Sequence, residues 1–156
     1  MNRYALAGTI ATVTLILDQI TKIAVRDKMA MWTSEVIIPG FFNLVHVVNK
    51  GAAFGFLNRA DITWQRNFFV VVTIIALGAI GMLLKSVEER DKFQIVGLGC
   101  VLGGAIGNLI DRLLYHEVTD FLDVYYGSHH WPAFNIADIA ICVGAFALII
   151  SFYKNK

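Results

Sequence analysis

Four stretches of this chain, Tyr4 to Val25, Asn67 to Leu84, Phe93 to Leu114 and Ala133 to Tyr153, are apolar over nearly the length a helix needs to cross a bilayer. About 30 Å of hydrocarbon takes about 20 helical residues, and in lipid a short chain can satisfy its backbone polar groups only as helices or a closed barrel. A mainly α membrane protein with four transmembrane helices is expected. Composition agrees, because 57% hydrophobic residues, 16% charged residues and a mean hydropathy of +0.64 exceed what a soluble chain of 156 residues can bury. Arg3 before the first stretch is how a signal peptide begins. No small-residue cleavage site follows, however, and Asp18-Gln19-Ile20-Thr21-Lys22 stands where one would lie, so an uncleaved first span is expected.

A net charge of +1 supplies no field for nucleic acid, which is set aside as a partner. Cys100 and Cys142 lie in apolar runs, where thiols behave as small hydrophobes, and they suggest neither a disulfide nor a zinc site.

A short charged turn, Lys85 to Lys92, joins the second and third spans, whereas a long loop separates the first from the second, so the two connections face opposite sides. In the long loop Val36-Ile37-Ile38 and Phe41 to Val48 are rich in β-branched and aromatic residues around Pro39-Gly40, a type II turn pair. They predict a small extramembrane sheet. Gly51 to Gly55 follows, either a simple turn or a loop where a ligand backbone can approach closely. Trp32, Trp64 and Trp131 lie near span ends on this side, as interfacial anchors do. Counting cations leaves orientation open, with six on the side of the termini and seven on the other, though Arg3 favours cytoplasmic termini. No repeat or linker divides the chain, so one domain over 1–156 is expected.

Four antiparallel spans bring the end of the first and third and the start of the second and fourth to one membrane face. The unusual polar residues collect there: Asp18, Gln19 and Lys22, then Asn108, Asp111 and Arg112, then Asn135 and Asp138. A carboxylate at bilayer depth costs about 3 kcal/mol and is kept for function or for a specific partner. Span three also carries Gly99, Gly103 and Gly107 at four-residue spacing, which lets another helix pack closely and leads along one stripe to Asp111.

Each acid has a structural alternative. Asp18 can pair with Lys22 one turn later, and a structural or tethering role is favoured for it and for Asp111. Asn135 and Asp138 have the spacing of a helix N-cap pair. Against pure capping stands a second acidic pair, Asp120 and Asp123, delivered by the loop entering span four. Two carboxylates from different segments at one membrane face suit aspartyl chemistry, in which one accepts a proton from water and the other donates to the carbonyl oxygen. Spacing leaves open whether Asp111, Asp120 or Asp123 partners Asp138.

Other chemistries fit less well. The histidines lack HExxH spacing, and neither a Gly-x-Ser-x-Gly elbow nor a P-loop occurs. A proton-coupled transporter would line acids along a path, but spans two and four have no ionisable group below Asp138 except Cys142. A CDP-alcohol phosphotransferase would need a denser array of aspartates on a helix.

Five ordered segments, Asp18 to Lys22, Val48 to Gly55, Gly103 to Arg112, Val118 to Phe121 and Phe134 to Asp138, resemble the boxes of the lipoprotein signal peptidase (signal peptidase II) family across nearly the whole chain. The resemblance implies an aspartyl endopeptidase of the bacterial cytoplasmic (inner) membrane. It would remove signal peptides from prolipoproteins by cutting before the diacylglyceryl-modified cysteine, with no metal or other cofactor. By motif position the catalytic dyad falls on Asp120 and Asp138. Asp18, Lys22, Asn49, Gly51, Phe54, Asn108, Asp111, Arg112 and Asn135 then bind substrate or support the site. The long loop corresponds to a sheet cradle with a short surface helix near Trp64. Thr119 stands where the family commonly has an aliphatic residue and is read as a small variation in shape. The expected partners are diacylglyceryl-modified prolipoproteins and membrane lipids, the expected state is a monomer, and the active site faces outward with both termini cytoplasmic.

Overall fold

The computed structural model describes residues 2–51 and 64–154. Helices α1 (Arg3–Lys28), α2 (Gln65–Ser86), α3 (Lys92–Leu114) and α4 (Ile136–Lys154) are each long and apolar enough to cross a membrane. Strands β1 (Ser34–Ile38), β2 (Phe42–Asn49), β3 (Val118–Tyr126) and β4 (His129–His130) form one antiparallel sheet in that spatial order. This is a multi-pass membrane protein.

The helix ends explain themselves locally. Asn2 caps α1 by accepting from Ala5 N at 2.8 Å, and Asp91 caps α3 by accepting from Gln94 N at 3.0 Å. Ser151 Oγ also donates to Asp91, at 2.5 Å, which ties the far end of α4 to the start of α3. In the sheet the expected Pro39-Gly40 turn joins β1 to β2, with Gly40 at φ +78° and Phe41 N bonded to Ile38 O.

Lipid offers helices no hydrophobic reason to associate, so close backbone packing and polar contacts must hold them. Helix α3 is the centre, flanked by α1 and α4. A Cβ placed on Gly99 or Gly103 would come within 2.9 and 2.6 Å of the carbonyl oxygens of Ala7 and Ala11 in α1. Gly104 similarly abuts Ala137 O, and Gly97 and Gly144 face each other across α3 and α4. The predicted stripe therefore seats α1, and a second set, Gly97, Gly104 and Gly144, seats α3 against α4. The outward faces stay apolar, with Ile16, Ile20, Ile75, Met82 and Phe146 all exposed, as lipid contact requires. Val25, Met29 and Phe121 form a small core that fixes β3 to the end of α1.

Candidate active site

Strand β3 changes the expected picture of Val118 to Tyr126, which is an extended strand and not a loop. Residues three apart on a strand point to opposite faces, so Asp120 and Asp123 cannot act as one acidic pair. Asp123 turns to Asn43, whose Nδ2 donates to it at 2.8 Å, and to His130 Nδ1 at 2.9 Å. His130 stacks on Tyr125, and buried His46 bonds through Nδ1 to Met29 O, so both are engaged in the cradle. Asp120 turns the other way, toward the start of α4.

There Asn135 joins it to Asp138. Asn135 Nδ2 donates to Asp120 Oδ1 at 2.7 Å. Asn135 N donates to Asp138 Oδ2 at 3.2 Å, while Asn135 Oδ1 accepts from Asp138 N at 3.0 Å. The last two bonds are the reciprocal cap expected at this spacing, so capping and convergence occur together.

Three asparagines surround the two carboxylates, and each amide has its orientation set by a group that can only donate. Asn135 Oδ1 is held by the backbone N–H of Asp138. Asn49 Oδ1 accepts from Gly51 N at 2.9 Å, leaving its Nδ2 to donate to Asp120 Oδ2 at 3.2 Å. Asn108 Oδ1 accepts from Lys22 Nζ at 2.9 Å, leaving its Nδ2 to donate to Asp138 Oδ1 at 2.9 Å. Both oxygens of both acids therefore accept hydrogen bonds. Burial raises the Asp120 carboxyl to about 7, reinforced by the charge of Asp138 and opposed by the Asn49 and Asn135 bonds and the charge of Lys22. Near neutral pH the Asp120 carboxyl can still hold its proton.

Behind the asparagines lies a buried charged layer. Lys22 and Asp18, both fully buried, pair at 2.9 Å, and Lys22 reaches Asp111 at 3.4 Å. Asp18 Oδ1 accepts from Ala137 N at 2.9 Å, which pins the first turn of α4. Asp111 Oδ2 accepts from Thr119 N at 3.1 Å, which pins β3 beside Asp120. Arg112 donates through Nη2 to Gly51 O at 2.8 Å and lies over the Phe69 ring, so it anchors the start of the segment that follows β2. Phe54, the rest of the Gly51 to Gly55 loop and the expected surface helix lie outside the described residues; Trp64 itself immediately precedes α2.

Three participants escaped the sequence reading of the site. Arg26 reaches Asp111 Oδ1 at 3.4 Å and donates to Thr119 Oγ1 at 3.0 Å. Its position eight residues after Asp18 and four after Lys22 on one helix face was the available signal. Thr119 is more than a variation in shape, because its hydroxyl accepts from Arg26 Nη1. Gln19, noted only as part of a polar cluster, donates to Asp18 Oδ2 and to Gly107 O at 3.1 and 3.2 Å.

This chain is 85% identical, over all of both sequences, to a lipoprotein signal peptidase of Maridesulfovibrio salexigens. It is 44% identical to one of Nitratidesulfovibrio vulgaris, over 98% of this chain and 92% of that one. A solved bacterial membrane enzyme superposes with a TM-score of 0.85 at 34% identity, covering 96% of this chain and 88% of the other. Residues 10–154 match the family described as Signal peptidase (SPase) II. With the four spans and small sheet already described, the chain belongs to the signal peptidase II family.

Proposed function

We propose that Asp120 and Asp138 are the catalytic dyad with which this lipoprotein signal peptidase cuts prolipoproteins before the diacylglyceryl-modified cysteine. The observation that carries the assignment is the convergence of these two acids, from β3 and α4, under amide donors whose orientations are fixed. One carboxylate takes a proton from water as the water attacks the scissile carbonyl, and the other donates a proton to the carbonyl oxygen. The held amides keep the pair in place during transfer, and no covalent enzyme intermediate is needed. Asn49, Asn108 and Asn135 position the dyad, while Asp18, Lys22, Asp111 and Arg112 hold the elements that carry it. Gly51 and Phe54 belong to the segment along which the substrate backbone passes.

The exposed apolar faces of the helices support lateral entry of the substrate's signal helix and acyl chains from lipid. The chain is read as one peptidase domain acting as a monomer in the inner membrane, with this site at the outer face and both termini in the cytoplasm. Incubating the purified protein in detergent with a diacylglyceryl-modified prolipoprotein tests the reading. Cleavage should fall immediately before the modified cysteine, and the unmodified precursor should remain uncut. Cutting elsewhere, or equal cutting of both, overturns it.

A further inference from the structure

Lys22 is fully buried between α1 and α3. Its ammonium meets three oxygens, Asp18 Oδ2, Asn108 Oδ1 and Asp111 Oδ2, at 2.9, 2.9 and 3.4 Å. The contact to Asn108 has a consequence for chemistry. An ammonium has no acceptor, so the Asn108 amide cannot turn its nitrogen toward Lys22. Its NH2 is thereby forced onto Asp138 Oδ1, 2.9 Å away. Asn135 Nδ2, 3.3 Å from Asn108 Oδ1, acts in the same sense.

The two acids are consequently not equivalent. Asp138 stands in the first turn of α4, accepts the backbone N–H of Asn135, and accepts an amide polarised by a cation. A helix start and a charge-backed donor both favour a carboxylate over a carboxylic acid. Asp120 lies on a strand and, among the described residues, its carboxylate accepts from the neutral amides of Asn49 and Asn135. Among the described residues, Asp18 from α1 and Arg112 from α3 also bear on the pair. We infer that Lys22 is a positioning residue which, through Asn108, keeps Asp138 ionised as the general base and leaves the proton on Asp120, the general acid. In the forward step Asp138 takes a proton from water as the water oxygen bonds to the carbonyl carbon, and Asp120 gives its proton to the carbonyl oxygen. The value near 7 for Asp120 agrees with this division.

The inference rests on the dyad assigned above, and its test separates the two. Lys22→Met alone strands Asp18 and Asp111 with too little positive charge, so the paired variant Lys22→Met/Asp18→Asn is used. It removes one cation and one anion, and the new amide oxygen can still accept from Ala137 N. Expected are a melting temperature in detergent close to the parent's, a kcat lower by about 100-fold with KM nearly unchanged, and an acidic limb of the pH–kcat profile, which reports protonation of the base Asp138, moved up by about 1 unit. Asn108→Asp is the second arm. It keeps an oxygen that meets Lys22 but sets a second carboxylate oxygen in place of the NH2 facing Asp138, which opposes ionisation of Asp138, and it should lose kcat to a similar extent. If either folded variant keeps kcat and pH profile close to the parent's while Asp120→Asn and Asp138→Asn are inactive, the role of Lys22 is refuted and the dyad stands. If Asp120→Asn or Asp138→Asn is itself active, the dyad falls first.

Discussion

Replacing Asp120 by asparagine should make the protein more stable at alkaline pH while abolishing its activity. The carboxyl has its usual value of 3.8 in the unfolded chain and about 7 in the folded one. The folded state therefore binds this proton more tightly, and the stability so conferred is present below 3.8 and is lost as pH rises through about 7. A difference of about three units corresponds to on the order of 4 kcal/mol, expressed in full only above the folded value. Asparagine escapes that cost because it never ionises. It introduces another, since its NH2 must face one of the two donors, Asn135 Nδ2 or Asn49 Nδ2, that now serve the carboxylate. Losing one such bond costs about 1–2 kcal/mol. A net gain of about 2 kcal/mol at pH 8 converts to a rise in melting temperature of about 4–8 °C for a chain of this size. The assay is thermal unfolding of parent and variant in detergent, followed by tryptophan fluorescence, between pH 4 and 8.5. The difference should shrink as pH falls and vanish or reverse below about pH 5. A difference that is independent of pH, or largest in acid, would refute the electrostatic account of Asp120.

Other expectations follow from individual contacts. Asn49→Ala removes a donor to ionised Asp120, so the alkaline limb of the pH–rate profile, expected near 7 in the parent, should move up by about 1 unit; a downward shift would contradict the assigned bond. Gly103→Ala drives a methyl group to within 2.6 Å of Ala11 O and should lower stability by about 1–3 kcal/mol. Gly78→Ala in α2, with open space at its Cβ, should be neutral or stabilising by up to about 1 kcal/mol, and equal effects at the two sites would argue against α3 as the packing centre. Single cysteines at Ser34 and Ser128, in a background lacking Cys100 and Cys142, should react with an impermeant maleimide in intact spheroplasts. One at Ser86 should react only after lysis, and the reverse pattern would turn the site inward.

The helices and the first hairpin were legible because apolar length and β-branched runs are local properties. The glycine stripe of α3 was legible for the same reason, since its spacing identifies a face without naming the partner. What spacing could not settle was the assignment of the acids. Asp120 and Asp123 look like a pair until β3 is recognised, and Val118 to Tyr126 carried a β signal in Val118, Phe121, Val124, Tyr125 and Tyr126 that a loop assignment overlooked. Once it is a strand, its period of two separates the acids. Arg26 and Thr119 were missed for a different reason: their bonds to Asp111 and to each other cross from α1 to α3 and β3, and no single segment contains both ends. Family resemblance pointed to Asp120 where residue spacing alone left three candidates.

The dyad is the central claim, and the most direct measurement is turnover of a diacylglyceryl-modified prolipoprotein by purified Asp120→Asn and Asp138→Asn, with folding verified by thermal unfolding in the same detergent. Each substitution removes one proton-transfer partner at nearly constant shape, and turnover should fall at least about 100-fold in both. A folded variant that keeps more than about a tenth of the parent's turnover, against a factor that general acid–base catalysis sets at 10²–10⁴, would contradict the assignment of that aspartate.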